Sequence, residues 1–179
     1  MKLGALKYTA PILSIAVLTL IAVLPWGLPS ENRFFLPLMP IIAIHYWGLR
    51  RPESVPEWSV FLAGLTLDVL TQGPLGYWAL IYLLGYLLGA LCEPYGRHSQ
   101  RLRVALFAAA LMCVTAAAWL LSSAYFWELA DWRPYVSGAG YAAIAALVIV
   151  PLLHWLSTAN DTRDNARFAR AGVAKHVRT

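Results

Sequence analysis

The chain has 179 residues, of which 60% are hydrophobic and 13% charged, with a formal net charge of +5. Soluble globular domains run near ~45–50% apolar and ~25% charged, so this composition excludes a soluble enzyme, a disordered protein and a secreted disulfide scaffold. It describes one polytopic membrane unit. The basic residues fall in short clusters between apolar runs and form no aromatic-laced patch, which argues against nucleic acid as a partner.

Six apolar runs follow one another, and each is expected to be a transmembrane helix of a single all-α bundle. The first, Tyr8 to Leu28, starts after Lys2 and Lys7. It is too long for a signal-peptide core and lacks an A-x-A site, so it is expected to stay in the mature protein. The second, Phe34 to Leu49, carries His45 and ends at Arg50 and Arg51.

The third run, Pro56 to Leu70, departs from the pattern. From Trp58 to Leu70 it makes only ~20 Å of helix, short for a hydrocarbon core of ~30 Å. It contains Asp68 and stops at Thr71-Gln72-Gly73-Pro74-Leu75-Gly76. A carboxylate inside a span is costly and has to be satisfied. Two roles stay open for Asp68: accepting hydrogen bonds from N–H groups freed at the turn, or facing a partner or ligand.

The fourth run, Leu75 to Cys92, holds Gly85 and Gly89 in a G-x-x-x-G spacing that permits close helix approach, within the bundle or against another chain. The fifth, Leu102 to Trp127, and the sixth, Tyr135 to Ser157, are rich in Ala and Gly. His154 lies near the inner end of the sixth, and His45 and His154 are expected to make interhelical hydrogen bonds or to sit at the interface. Cys92 and Cys113 have no metal-ligand spacing and read as packing residues. Residues 1–157 thus form a six-span transmembrane domain, and 158–179 a basic cytoplasmic tail.

Charge orients the spans, because cytoplasmic loops carry the excess of Lys and Arg. Twelve basic residues lie on one side and only Arg33 and Arg133 on the other. Both termini are therefore expected in the cytoplasm, and the loops around Ser30, Gly73 and Asp131 outside. The basic rim suits anionic lipid. No P-loop, G-x-S-x-G, H-E-x-x-H or pair of intramembrane carboxylates occurs in the chain, so no catalytic residue, cofactor or metal site is expected.

Arg50-Arg51-Pro52-Glu53, then Pro56, Phe61, Gly64-Leu65, Asp68 and Pro74-Leu75-Gly76 with Ala79-Leu80, form a spaced string of about 30 residues. It resembles the rod shape-determining protein MreD family of bacteria. The resemblance implies a non-catalytic inner-membrane scaffold or regulator of the cell-elongation and peptidoglycan-synthesis machinery. Its implied partner is MreC and, through MreC, the MreB filament, RodA and a class B penicillin-binding protein. It also implies a fold similar to the substrate-binding subunits of energy-coupling-factor transporters. Arg50, Arg51, Pro52, Asp68, Pro74, Leu75, Gly76, Gly85 and Gly89 are the expected partner-facing or structural positions. The alternative is a small-molecule-binding membrane subunit or transporter component, with Asp68 and the broken third span lining its pocket.

Overall fold

The computed structural model describes residues 3–27, 33–96 and 99–176, with side chains for 8–27, 33–96 and 99–158. Among them are seven α-helices and no strand. The helices are α1 (Leu3–Val23), α2 (Phe35–Arg50), α3 (Glu57–Thr71), α4 (Tyr77–Leu91), a single turn α5 (Glu93–Gly96), α6 (Gln100–Phe126) and α7 (Arg133–His176). A 3-10 turn, Pro52–Ser54, links α2 to α3. The six apolar runs correspond to α1, α2, α3, α4, α6 and the first part of α7. The loop at Ser30, together with Lys2 and Arg97, lies outside the described residues.

Local chemistry sets the boundaries. The α1 helix stops at Val23 and not at Leu28, because Pro25 disfavours helical backbone at the residue before it and Gly27 takes a positive φ of 65°. At the start of α6 the Ser99 hydroxyl accepts a hydrogen bond from the Leu102 N–H at 3.1 Å, an N-cap. The α7 helix runs through Ser157 without a break to His176.

Contacts along the helices fix their relative directions. Between α2 and α4 they rise together, from Tyr82 with Pro37, through Gly85 with Ile41, to Gly89 with His45 and Gly48. Between α2 and α7 they rise together as well, from Gly138 with Phe34, through Tyr141 with Phe35, to Ser157 with Tyr46. The α6 helix runs against α4, with Ala118 beside Tyr77 and Val114 beside Gly85. Along one cleft α1 and α3 run side by side, from Tyr8 and Pro56 to Leu20 and Thr66. Thus α2, α4 and α7 point one way and α1, α3 and α6 the other. Arg50, Arg51, Arg101 and Arg103 consequently share one end of the bundle, while Arg33 and Arg133 lie at the opposite end.

The core sits around α2, whose Leu38, Ile41, Ile42, Ile44 and Trp47 are buried with Leu67, Ile81, Tyr82 and Val114. Outside it, the surface is apolar. Two helical stretches, Gln100–Phe126 and Arg133–Thr158, are long and apolar enough to cross a membrane, and most of each is unburied. Leu147 is 75% exposed, and Met112 and Val148 are exposed beside other large apolar side chains. Contiguous apolar surface of this extent is stable against lipid and not against water.

Candidate functional site

The motif residues assemble around the hairpin of α3 and α4. At the end of α3, Gln72 adopts a left-handed backbone with φ 54°. Its N–H donates to the Val69 carbonyl at 3.3 Å, and the Gly73 N–H donates to the Asp68 carbonyl at 3.0 Å. These two bonds make a Schellman closure that turns the chain back sharply. Gly76 follows with φ 91°, a conformation that suits only glycine, and opens α4 as its N-cap residue. Leu75 stands exposed at the tip, and Pro74 presents its carbonyl to the Tyr77 N–H.

Asp68 closes this turn from below. Its residue surface is 0% exposed. Oδ1 accepts from the Trp78 N–H at 2.8 Å, and Oδ2 accepts from the Gly76 N–H at 2.9 Å and from the Ala79 N–H at 3.4 Å. The first N–H groups of a helix have no partner inside it and carry the positive end of its dipole. A carboxylate from the preceding helix therefore caps α4 where no side chain of the Gly76 N-cap exists to do so. Of the two roles left open by the sequence, the geometry realises hydrogen bonding to the freed N–H groups. An aromatic layer covers the site: the Trp78 ring centroid lies 5.7 Å from Phe34 and 5.0 Å from Tyr77, and Phe34 lies 4.2 Å from Tyr135.

Arg50, Arg51 and Pro52 lie at the other end of α3, remote from Asp68. The Arg51 N–H donates to the Trp47 carbonyl at 2.7 Å, ending α2. The Pro52 carbonyl accepts from the Tyr86 hydroxyl of α4 at 3.2 Å. So α4 holds the turn that leads into α3 through Tyr86, and the far end of α3 through the N–H groups at Asp68. Midway, a Cβ on Gly64 would collide with the backbone of Ala79. Gly85 and Gly89 occupy the opposite side of α4 and meet α2, Gly85 at Ile41 and Gly89 at His45 and Gly48. The glycine spacing thus serves packing within the bundle.

Several interactions were not foreseen from the sequence. The Tyr77 hydroxyl donates to the Ala118 carbonyl of α6 at 2.8 Å, and the Tyr82 hydroxyl to the Pro37 carbonyl of α2 at 2.9 Å. Trp47 Nε1 donates to Ser14 of α1 at 2.9 Å. Buried Tyr and Trp in a membrane bundle need a partner for their polar tip, and that is the signal a sequence offers. His154 does bond across helices, to Arg50 of α2 at 3.0 Å. His45 corrects the expectation: it is buried against Phe107, and neither ring nitrogen reaches a hydrogen-bond partner among the described residues. Cys113 is another correction, lying exposed on α6, while Cys92 is half-buried. Among the described residues no three His, Cys, Asp or Glu side chains gather closely enough to hold a metal ion.

A family model of the rod shape-determining protein MreD matches residues 5–158. The chain belongs to the MreD family. No curated protein and no solved structure matches it. The MreD match spans every motif residue described above, from Arg50 to Gly89, and ends within α7 at Thr158. Membership gives this MreD family member a role in rod-shape determination at a membrane, and the capped hairpin is the part of it that the family string describes.

Proposed function

We propose that this MreD family member crosses the bacterial inner membrane six times, with both termini in the cytoplasm, and acts as a non-catalytic scaffold of the elongation machinery. Its direct partner is MreC, and through MreC it serves MreB, RodA and a class B penicillin-binding protein during peptidoglycan synthesis. The observation that carries the reading, beside the family match, is the use to which the polar groups of the bundle are put. Asp68, Tyr77, Tyr82 and Tyr86 all bond backbone of the chain itself, so they position helices. The alternating helix directions and the basic residues at one end support six crossings with that end inward.

Deletion is expected to give rounded cells, and a pull-down from native membrane is expected to recover MreC. Hydrolysis or flipping of lipid-linked precursors by the purified protein alone in liposomes would overturn the non-catalytic role.

A small-molecule-binding subunit is the second reading. It is favoured by a cleft of about 560 Å³ lined by Tyr8, Ile12, Glu53, Pro56 and Trp58. This cleft lies between α1 and α3, on the side of the bundle where Arg50 and Arg101 lie, and Asp68 does not line it. A small ligand retained through purification, with no MreC recovered, would decide for this reading.

A further inference from the structure

The basic end of the bundle contains a guanidinium fixed in place by neutral groups. Arg50, the last residue of α2, donates from Nη1 to the Tyr46 hydroxyl at 3.0 Å and to Nδ1 of His154 on α7 at 3.0 Å. Its Cζ lies 5.0 Å from the centroid of the Tyr46 ring. Tyr46 is itself braced, with its hydroxyl 3.3 Å from Ser157 Oγ, and both residues are buried. The Ser157 hydroxyl also reaches the His154 carbonyl at 2.8 Å. Arginine has no acceptor, so Nδ1 of His154 must accept, and the imidazole proton then sits on Nε2.

The bonds to Tyr46 and His154 use both hydrogens of Nη1, leaving those of Nε and Nη2 in the planar fork that matches a phosphate. The groups that hold the guanidinium are a phenol oxygen, an imidazole nitrogen and a ring face, none of which carries a negative charge. Its rotamer is set before any ligand arrives, which lowers the ordering cost of binding. His154 is exposed and offers Nε2–H as a further donor. Trp155, next along α7, is 64% exposed, as an aromatic at headgroup level should be.

We propose that Arg50 and His154 form a binding site for one phosphate group at the end of the seam between α2 and α7. Placing that phosphate on a lipid rests on the membrane reading above; recognition of the phosphate itself does not. The full chain is purified in detergent and its melting followed with inorganic phosphate, then in nanodiscs of phosphatidylcholine with and without phosphatidylglycerol. Retained lipid is measured by native mass spectrometry. Phosphatidylglycerol is expected to be retained, roughly fivefold less by Arg50→Gln than by the parent and unchanged in Arg133→Gln at the opposite rim. Arg50→Lys keeps the charge without the fork, and His154→Gln replaces the imidazole that both holds Nη1 and donates from Nε2 with a flexible amide, so both should fall between the two. They also serve if Arg50→Gln fails to fold. Stabilisation by inorganic phosphate alone, lost in the same variants, would assign the site to a soluble phosphate. Equal retention of phosphatidylglycerol by parent, Arg50→Lys and His154→Gln, with no response to inorganic phosphate, would overturn the site.

Discussion

Gly89 of α4 lies directly on Gly48 of α2: a Cβ at position 89 would stand 3.3 Å from the Gly48 Cα and 2.9 Å from the His45 carbonyl oxygen. A Cβ at position 48 would in turn meet the Tyr86 carbonyl at 3.1 Å. Because both neighbours are backbone, neither can swing aside, and the two helices must separate if a side chain is added. Lipid offers no hydrophobic drive to bring them back, so contact between backbones carries the association.

Gly89→Ala is accordingly expected to destabilise by about 1–3 kcal/mol, and Gly85→Leu with Gly89→Leu to prevent stable accumulation. Gly140→Ala is the control, since a Cβ there meets nothing within 4 Å. Thermal melting in detergent and abundance in the membrane measure both. A double variant that accumulates normally would place this glycine face against lipid.

Asp68 gives an ordered pair of substitutions. Both carboxylate oxygens accept from N–H groups, so Asn at this position turns one acceptor into a donor aimed at other donors. Asp68→Asn should therefore lower stability, and Asp68→Leu should lower it further by leaving the buried N–H groups of Trp78 and Ala79 and the half-buried one of Gly76 without this partner, each buried one costing about 1–3 kcal/mol. The expected order of abundance is parent, then Asn, then Leu. If Asn accumulates like the parent yet fails to support rod shape, Asp68 acts on a partner as well as on α4.

The turn between α3 and α4 predicts opposite signs at two neighbouring positions. Gly76→Ala forces a Cβ into φ 91° and should cost about 1–2 kcal/mol, although no atom blocks it. Gln72→Gly relieves a left-handed non-glycine residue and should add roughly 0.5–1 kcal/mol. Melting temperatures of the two variants check the pair.

The helices themselves were legible in the sequence, because apolar runs interrupted by Pro, Gly and charge specify them directly. Asp68 was legible as a residue that needed satisfying, since an isolated carboxylate beside a Gly-Pro turn has few other solutions. What the sequence does not contain is which helix lies next to which. Gly48 and Gly64 look like any other membrane glycines until α4 is seen packed between α2 and α3. Arg50 and His154 are separated by 103 intervening positions, and only the parallel course of α2 and α7 brings them together. His45 shows the reverse: the sequence argues for an interhelical hydrogen bond, and close packing of Phe107 and α4 leaves the ring without one.

The central claim, six alternating helices in a membrane with the basic end in the cytoplasm, is tested most directly by alkaline phosphatase fusions. The account predicts activity for fusions after Gly73 and after Asp131, and none after Arg51 or Arg101, where the fused enzyme would stay in the cytoplasm. Activity after Arg101 and silence after Gly73 would contradict it.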